Sequence, residues 1–483
     1  MVQEETDSLP VIEIENLGPI KKARFQLAPI TVLIGPNNSG KSFLGTVIYA
    51  LGRGIQSYTQ SVSGGFLEEY SSRQRLAKLG EDDAAFRPIL NTERKRLASL
   101  ISRSFARIYG ETAAELIRWG QTKLTVRLRL KNLTVTVIGS ANEFRTNIRL
   151  RNTERAASEI RQSPGLGRLL RGLQETGKEV RLGTEQIAVR FDEYPFLEER
   201  EPRYSTSRWL LAGLDRSALN NPSYLLAERA GLIRIYRPLL SVYMRTSLPE
   251  LLRRYGRRQP MEELIRELAS PSLQLPILAT DFLEDVLLGA PRRAVPKGRI
   301  PKVLQEMEKL MEGAVHVSEN LDITYHQNGK GIDIVNASSM VAELVPIFQV
   351  LRRGVGRSLI VEEPEAHLHL RKQRDIARVF ARLHNAKLSL FITTHSIAIP
   401  ITLAHLAALS RISTGQRRKL HLDPEEAIPR EALSLLFIKV DRQGNEVGSL
   451  NITSEGAIER IPYADELMEQ LYYEEEKLSK LVP

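Results

Sequence analysis

The sequence predicts an α/β fold: a mixed β platform and a parallel sheet flanked by helices, interrupted by a large, mainly helical insertion. Three observations carry this. Residues 30–34 (ITVLI) form a short β-rich run that opens directly into Gly35, Pro36, Asn37, Asn38, Ser39, Gly40, Lys41 and Ser42, and apolar residues at helical spacing follow from Phe43. Residues 358–361 (SLIV) and 387–393 (KLSLFIT) are mostly apolar runs separated by a helical pattern, as in strands buried on both faces of a parallel sheet. Between the first strand and the other two lie more than three hundred residues of different character.

Taken in order, residues 11–15 alternate like an edge strand. Gly18-Pro19 turns the chain, and residues 23–27 return as a second strand before the loop-bearing strand. Residues 1–52 therefore read as the first part of an α/β head, a small β platform leading into the loop-bearing strand and a helix. Residues 53–312 read as the insertion. Residues 73–118 are mostly helical, 123–138 form a hairpin turning at Lys131-Asn132, and 143–178 are Arg-rich and helical. Residues 186–191 form a further strand. Helices are expected over 205–220, 231–256, 261–268 and 280–288, then a basic connector over 291–301. No heptad pattern persists over several turns, which argues against long coiled-coil arms. Residues 313–410 return to the head: three short strands (314–318, 322–326, 331–335), a helix over 340–353, the apolar strand, a helix over 369–383 and the next strand. Residues 411–483 add strands at 435–440 and 448–452 and a helix over 464–477.

Composition narrows the classes. No run of 18 apolar residues exists, so no membrane span is expected. The first ten residues are acidic and polar, unlike a signal peptide, and there is no cysteine; a cytoplasmic protein is the expectation. The net charge is +10, and 50 of the 68 basic residues are arginine. That excess suits bidentate phosphate contacts and equally suits a GC-rich or heat-adapted source.

The loop matches G-x-x-x-x-G-K-[ST] in the strand–loop–helix setting that pattern requires. Successive backbone N–H groups running into a helix N-terminus make an anion cradle, and the glycines let the backbone approach a phosphate. Lys41 would reach the β- and γ-phosphates of ATP, and the Ser42 hydroxyl would sit on Mg²⁺. Glu362 closes an apolar strand, where a metal-binding acid belongs. Glu363 follows it and can project toward the γ-phosphate as general base. His395 ends the next strand and can donate to the same phosphate. In parallel sheets ligands gather at the strands' C-terminal ends, so one crevice can hold Lys41, Glu362, Glu363 and His395. His367 and His369, two residues apart, do not share a helix face and make a poor metal pair.

GPNNSGKS, SLIVEEPEAHLHL and LFITTHS together resemble the ABC-type ATPases, more narrowly the RecF/SMC-like and OLD-like branch of AAA-family ATPases. The likeness covers about residues 11–52 and 313–410. It implies an ABC-type P-loop ATPase head that hydrolyses ATP with Mg²⁺, with Glu362 the Walker-B acid, Glu363 the catalytic base and His395 the switch histidine. Residues 365–367 fall in the D-loop region. Residues 336–340 fall at the signature position, where Ser338 would reach a second protomer's γ-phosphate; the two glycines of that pattern are replaced by Ser339 and Met340. Gln56 and Gln60 are candidates for the Q-loop. The run 224–232 (YLLAERAGL) resembles a segment common in these proteins, without an assigned role.

The family closes as head-to-tail dimers around ATP, so a homodimer or higher homo-oligomer is expected. Basic stretches at 94–107, 234–258 and 291–302, with Tyr109, Tyr236, Tyr243 and Tyr255 in or near them, fit either a DNA backbone or a protein partner. A TOPRIM nuclease needs a D-x-D cluster, and none occurs. Any nuclease or toxin effector is then a separate protein, as in the prokaryotic anti-phage systems where such ATPases stand alone. The expected function is an ATP-hydrolysing switch that controls DNA engagement or an effector. Alternatives are a non-catalytic ATP-binding scaffold and a DNA-repair ATPase.

Overall fold

The structure, a computed structural model, describes residues 9–63, 86–110, 112–151, 158–160, 209–212, 214, 217–236, 276–288, 298–318, 322–354, 356–413, 415–416 and 423–479. An 11-stranded sheet runs through it. Its strands are β1 (Val11–Leu17), β2 (Ile20–Gln26), β3 (Ile30–Ile34), β4 (Lys123–Arg129), β5 (Leu133–Ser140), β6 (Phe144–Leu150), β7 (Pro222–Leu225), β11 (Ser358–Glu362), β12 (Ser389–Thr394), β13 (Leu433–Lys439) and β14 (Asn445–Ser449). Their order is β6-β5-β4-β1-β2-β14-β13-β3-β12-β11-β7. From β13 to β7 every pairing is parallel, and the wing from β6 to β2 is antiparallel. This is the expected combination of mixed platform and parallel sheet. β8 (Ala314–Val317), β9 (Ile323–Gln327) and β10 (Lys330–Asp333) form a separate three-stranded antiparallel sheet.

The parallel strands β3, β7, β11 and β12 are buried throughout because both faces are covered. Ile30, Val32 and Ile34 of β3 join one core and Leu33 joins the other, the period-2 split of a strand. On the Leu33 side lie α1 (Lys41–Ser63) and α2 (Phe86–Tyr109). On the other side lie α5 (Ser339–Arg353), α6 (Leu370–Asn385) and α7 (Ala398–Ala408). α3 (Ile277–Leu283) continues into a π-helical turn, Glu284–Leu288. α4 (Ile300–Met311) packs beside α5 and α6, and α8 (Pro462–Ser479) closes the described chain.

Several expectations change. β1 is internal, held between β2 and β4, so its alternation reports one polar face and not a sheet edge. Residues 144–150 are a strand, not the start of an Arg-rich helix: Phe144 and Ile148 point into the core, and Arg145 and Arg149 point out. The hairpin and β6 extend the head's own sheet. Residues 300 and 301, expected as the end of the connector, instead open a helix that runs to Met311; Pro301 sits in the first turn, where its missing N–H costs nothing. Of the helix expected over 231–256, residues 229–236 are helical and 237–256 lie outside the described residues. Within 205–220, Trp209 and Leu210 are helical among the described residues, and 205–208, 213, 215 and 216 lie outside them. The strand at 186–191 and the helix at 261–268 lie outside the described residues.

Candidate functional site

The glycine loop leaves β3 and enters α1 at Lys41. Its crest needs two left-handed residues, Asn38 (φ 57°) and Gly40 (φ 106°). A Cβ on Gly40 would lie 2.8 Å from Ile20 Cγ1, so the platform's second strand leaves room for glycine alone. Asn445, at the start of β14, donates from Nδ2 to the Ser39 carbonyl at 2.9 Å. The C-terminal hairpin thus fixes the loop's shape. The Ser39 hydroxyl is buried with no hydrogen-bond partner, a donor held ready inside the cradle.

Lys41 folds across the loop. Its Nζ donates to the carbonyls of Gly35 (2.9 Å) and Pro36 (2.8 Å) and lies 2.8 Å from His395 Nε2. Burial lowers its pKa to about 8, against the pull of Glu363, Glu365 and Glu362. His395 Nε2 also lies 3.2 Å from Glu363 Oε1. One imidazole nitrogen therefore faces a donor and an acceptor. It accepts from Lys41 in one tautomer and donates to Glu363 in the other. The His395 hydrogen bond holds the Glu363 carboxyl below the usual carboxylate range despite partial burial, helped by the charges of His395, Lys41 and Arg229.

Three contacts aim these groups. Glu363 takes a left-handed backbone (φ 41°) just past β11, and its N–H donates to the Thr393 carbonyl on β12. Glu365 Oε1 accepts from the N–H groups of His395 (2.5 Å) and Ser396 (3.1 Å), clamping the end of β12 to the turn after β11. Tyr463, at the start of α8, reaches the His395 carbonyl at 3.5 Å.

Glu362 is 4% exposed. Its Oε1 accepts from the Tyr224 hydroxyl at 2.8 Å and its Oε2 from the Ala227 N–H at 3.1 Å. The Tyr224 hydroxyl is also 3.3 Å from Thr46 Oγ1, which donates to the Ser42 carbonyl. Ser42 and Glu362, the two expected metal-side groups, are linked through these two side chains. Arg229 is fully buried and donates to the carbonyls of Leu226, Glu343, Glu362 and Glu363. Its charge is met by the Glu343 carboxylate at 2.9 Å.

The crevice therefore joins Lys41, Glu363 and His395 directly and brings Glu362 beside the first turn of α1. It does not include every candidate. Ser338 is exposed and caps α5, accepting from the Val341 N–H; its described hydrogen bonds do not reach the loop or the acids. Gln56 and Gln60 sit far along α1, about 22 and 28 Å beyond Lys41 at 1.5 Å per residue. His369 caps α6 with Nδ1, and His367 stands 3.9 Å from Glu343. Among the described residues no group of three or more ligating side chains forms a metal cluster. Of the tyrosines expected along a basic track, Tyr236 is buried and Tyr109 packs its ring against Phe105 and Phe144. Tyr243 and Tyr255 lie outside the described residues. Tyr224, Arg229 and Asn445 are functional-site residues without a sequence signal of their own role; the run 224–232 resembles a family segment, and the pairing of β7 with β11 gives its place.

Residues 30–401 match the family described as "AAA domain, putative AbiEii toxin, Type IV TA system", a span well over half the chain that includes loop, acids and histidine. The chain belongs to this family. In this member the loop strand, histidine strand and acid strand are adjacent and parallel. Among solved structures this AAA chain is similar to the SMC head domain from Thermotoga maritima (9% identity, 92% of this chain and 100% of that one, TM-score 0.35). It is also similar to an SmcHead bound to the C-winged helix domain of ScpA (12%, 92% and 98%, 0.38). A third is a Smc head domain with an extended coiled coil, bound to the C-terminal domain of ScpA derived from Pyrococcus furiosus (12%, 96% and 99%, 0.37). No curated protein matches the chain. No helix among the described residues is long and apolar enough to cross a membrane.

The residues of this AAA site fit a magnesium-bound nucleoside triphosphate. The loop supplies backbone donors, the unpartnered Ser39 hydroxyl and a cation at Lys41. Ser42 and Glu362 are the oxygen donors that would hold the metal.

Proposed function

We propose that this protein binds Mg–ATP in the crevice and hydrolyses it as a switch. The carrying observation is the contact chain Lys41–His395–Glu363, which spans three separate stretches of sequence at 2.8 and 3.2 Å. Bound Mg²⁺ supplies charge neutralisation on the phosphates. Glu363, held ionised, accepts a proton from water as its oxygen attacks the γ-phosphorus and the bond to the ADP oxygen breaks. Lys41 and His395 face the charge that develops on the γ-phosphoryl oxygens. Phosphate and ADP leave.

Ser338 sits exposed at a helix N-terminus, where a second protomer's phosphate can approach, so we assign the ATP-bound state to a homodimer. The matched family's description names a toxin–antitoxin system, and two of the expected track tyrosines are packed inside. Both favour a separate protein effector over DNA as what the switch controls.

Glu363→Gln tests the catalytic part. Turnover should fall by about 10²–10⁴ while ATP binding persists. Wild-type protein that never exceeds background hydrolysis would leave an ATP-binding scaffold as the function.

A further inference from the structure

We infer that β7 and the residues after it form a positioning element for the acid pair: Tyr224 orients the Glu362 carboxylate, and Arg229 fixes the Glu362–Glu363 backbone to α5, the helix capped by Ser338. This rests on the ATPase reading and gives a role to the 224–232 segment, which had none.

Tyr224 is buried and its hydroxyl donates to Glu362 Oε1 at 2.8 Å. A carboxylate with one oxygen pinned by a phenol and the other by a backbone N–H cannot rotate, so the lone pairs left free point in fixed directions. Orientation of a metal-binding carboxylate by such partners typically changes metal affinity or activity 10–100-fold. Helix α1 is shaped for this contact. A Cβ on Gly45 would stand 3.1 Å from the Tyr224 hydroxyl, inside normal contact distance. A glycine within a helix is destabilising relative to alanine, and here it leaves the phenol its seat. Behind Tyr224, the Tyr49 ring packs edge-on at 5.2 Å between centroids.

Arg229 acts on the backbone. Its guanidinium holds the Glu362 carbonyl (2.5 Å) and the Glu363 carbonyl (3.0 Å) at the point where the chain turns into the left-handed conformation of Glu363. That conformation is strained for a residue with a side chain and needs outside support. The other edge of the same guanidinium holds the Glu343 carbonyl and faces its carboxylate, in the second turn of α5. A planar fork with five donors matches this array, and an ammonium with three does not. Movement of α5 is thereby conveyed to the general base through one buried side chain.

The test uses the full chain with Mg²⁺ titrations at saturating ATP, steady-state kinetics, and ATP binding in EDTA. Tyr224→Phe should raise the Mg²⁺ needed for half-maximal turnover about tenfold, with ATP binding in EDTA and the melting temperature close to wild type. Gly45→Ala should shift the same quantity in the same direction by less. Arg229→Lys should lower kcat at least about tenfold with KM within threefold, because the backbone of Glu363 loses its holder and the cradle does not. Arg229→Met should lose more. A wild-type Mg²⁺ dependence in Tyr224→Phe, or a wild-type kcat in Arg229→Lys, would overturn the inference. So would loss of ATP binding in EDTA in parallel with turnover, which marks a merely structural role. Absent turnover in the wild type would instead remove the ATPase reading, and the Mg²⁺ dependence of ATP binding would still decide on Tyr224.

Discussion

Asn445→Ala separates the shape of the loop from its chemistry. Asn445 is 6% exposed and Ser39 is 1% exposed, so their 2.9 Å bond is shielded from water. Removing the amide leaves the Ser39 carbonyl buried without its donor, at a cost of about 1–3 kcal/mol. That carbonyl lies between the two left-handed residues of the crest, Asn38 and Gly40, so the cost falls on the loop's ordered form. Partial relaxation toward water reduces it to about 1–2 kcal/mol, which weakens ATP binding about 5–30-fold. Glu363 and His395 do not touch Asn445, so kcat at saturating ATP should stay within about twofold of wild type. Spread over a chain of this size, the melting temperature should drop by only about 2–4 °C. Asn445→Asp should be worse than alanine, because it sets a carboxylate against the carbonyl and close to incoming phosphates. Calorimetric ATP binding and steady-state kinetics read both quantities. An unchanged Kd in Asn445→Ala, or an intact Kd with collapsed kcat, would refute the idea that the C-terminal hairpin shapes the cradle.

Gly40→Ala should cost about 1–3 kcal/mol from the backbone conformation alone, plus the clash with Ile20 and Pro19, and abolish ATP binding measurable by calorimetry. Burial pushes Asp285 up to about 7, with Arg53 pulling it back, so the folded state holds an extra proton between about pH 4 and 7. Stability should therefore fall as pH rises through that window and level off above it. Asp285→Asn should raise the melting temperature at pH 8, leave it near wild type at pH 5, and flatten the slope between. Glu426 is nearly buried and pairs with Arg378 (2.8 Å) and Arg382 (2.9 Å) at the far side of α6; Glu426→Ala should cost about 3 kcal/mol in urea unfolding and leave ATP turnover per folded molecule unchanged.

What could be read from the chain followed how local each signal is. β3, β11 and β12 are apolar on both faces, so composition alone marks them, and the loop carries its own punctuation. β6 hid inside an Arg-rich run because its outward residues are arginines, and β7 has only four residues, too few to show a period. α7 is apolar almost all round, so it has no face for helical spacing to reveal. In the site, Lys41, Glu362, Glu363 and His395 announced themselves through motif and strand end. Asn445 meets Ser39 across 406 positions and Tyr224 meets Glu362 across 138, and no local pattern encodes such pairings. They are consequences of strand order and register. β12 lies between β3 and β11, and Thr394 pairs with Ile34 while Thr393 pairs with Glu362. All three strands therefore end at one level. A slip of one residue would turn the inward side chains of β12 to the other face and withdraw His395 from both Lys41 and Glu363. The chemistry at the crevice is thus set by the hydrophobic residues that fix that register, Leu359, Val361, Leu390 and Ile392, none of which touches a phosphate site.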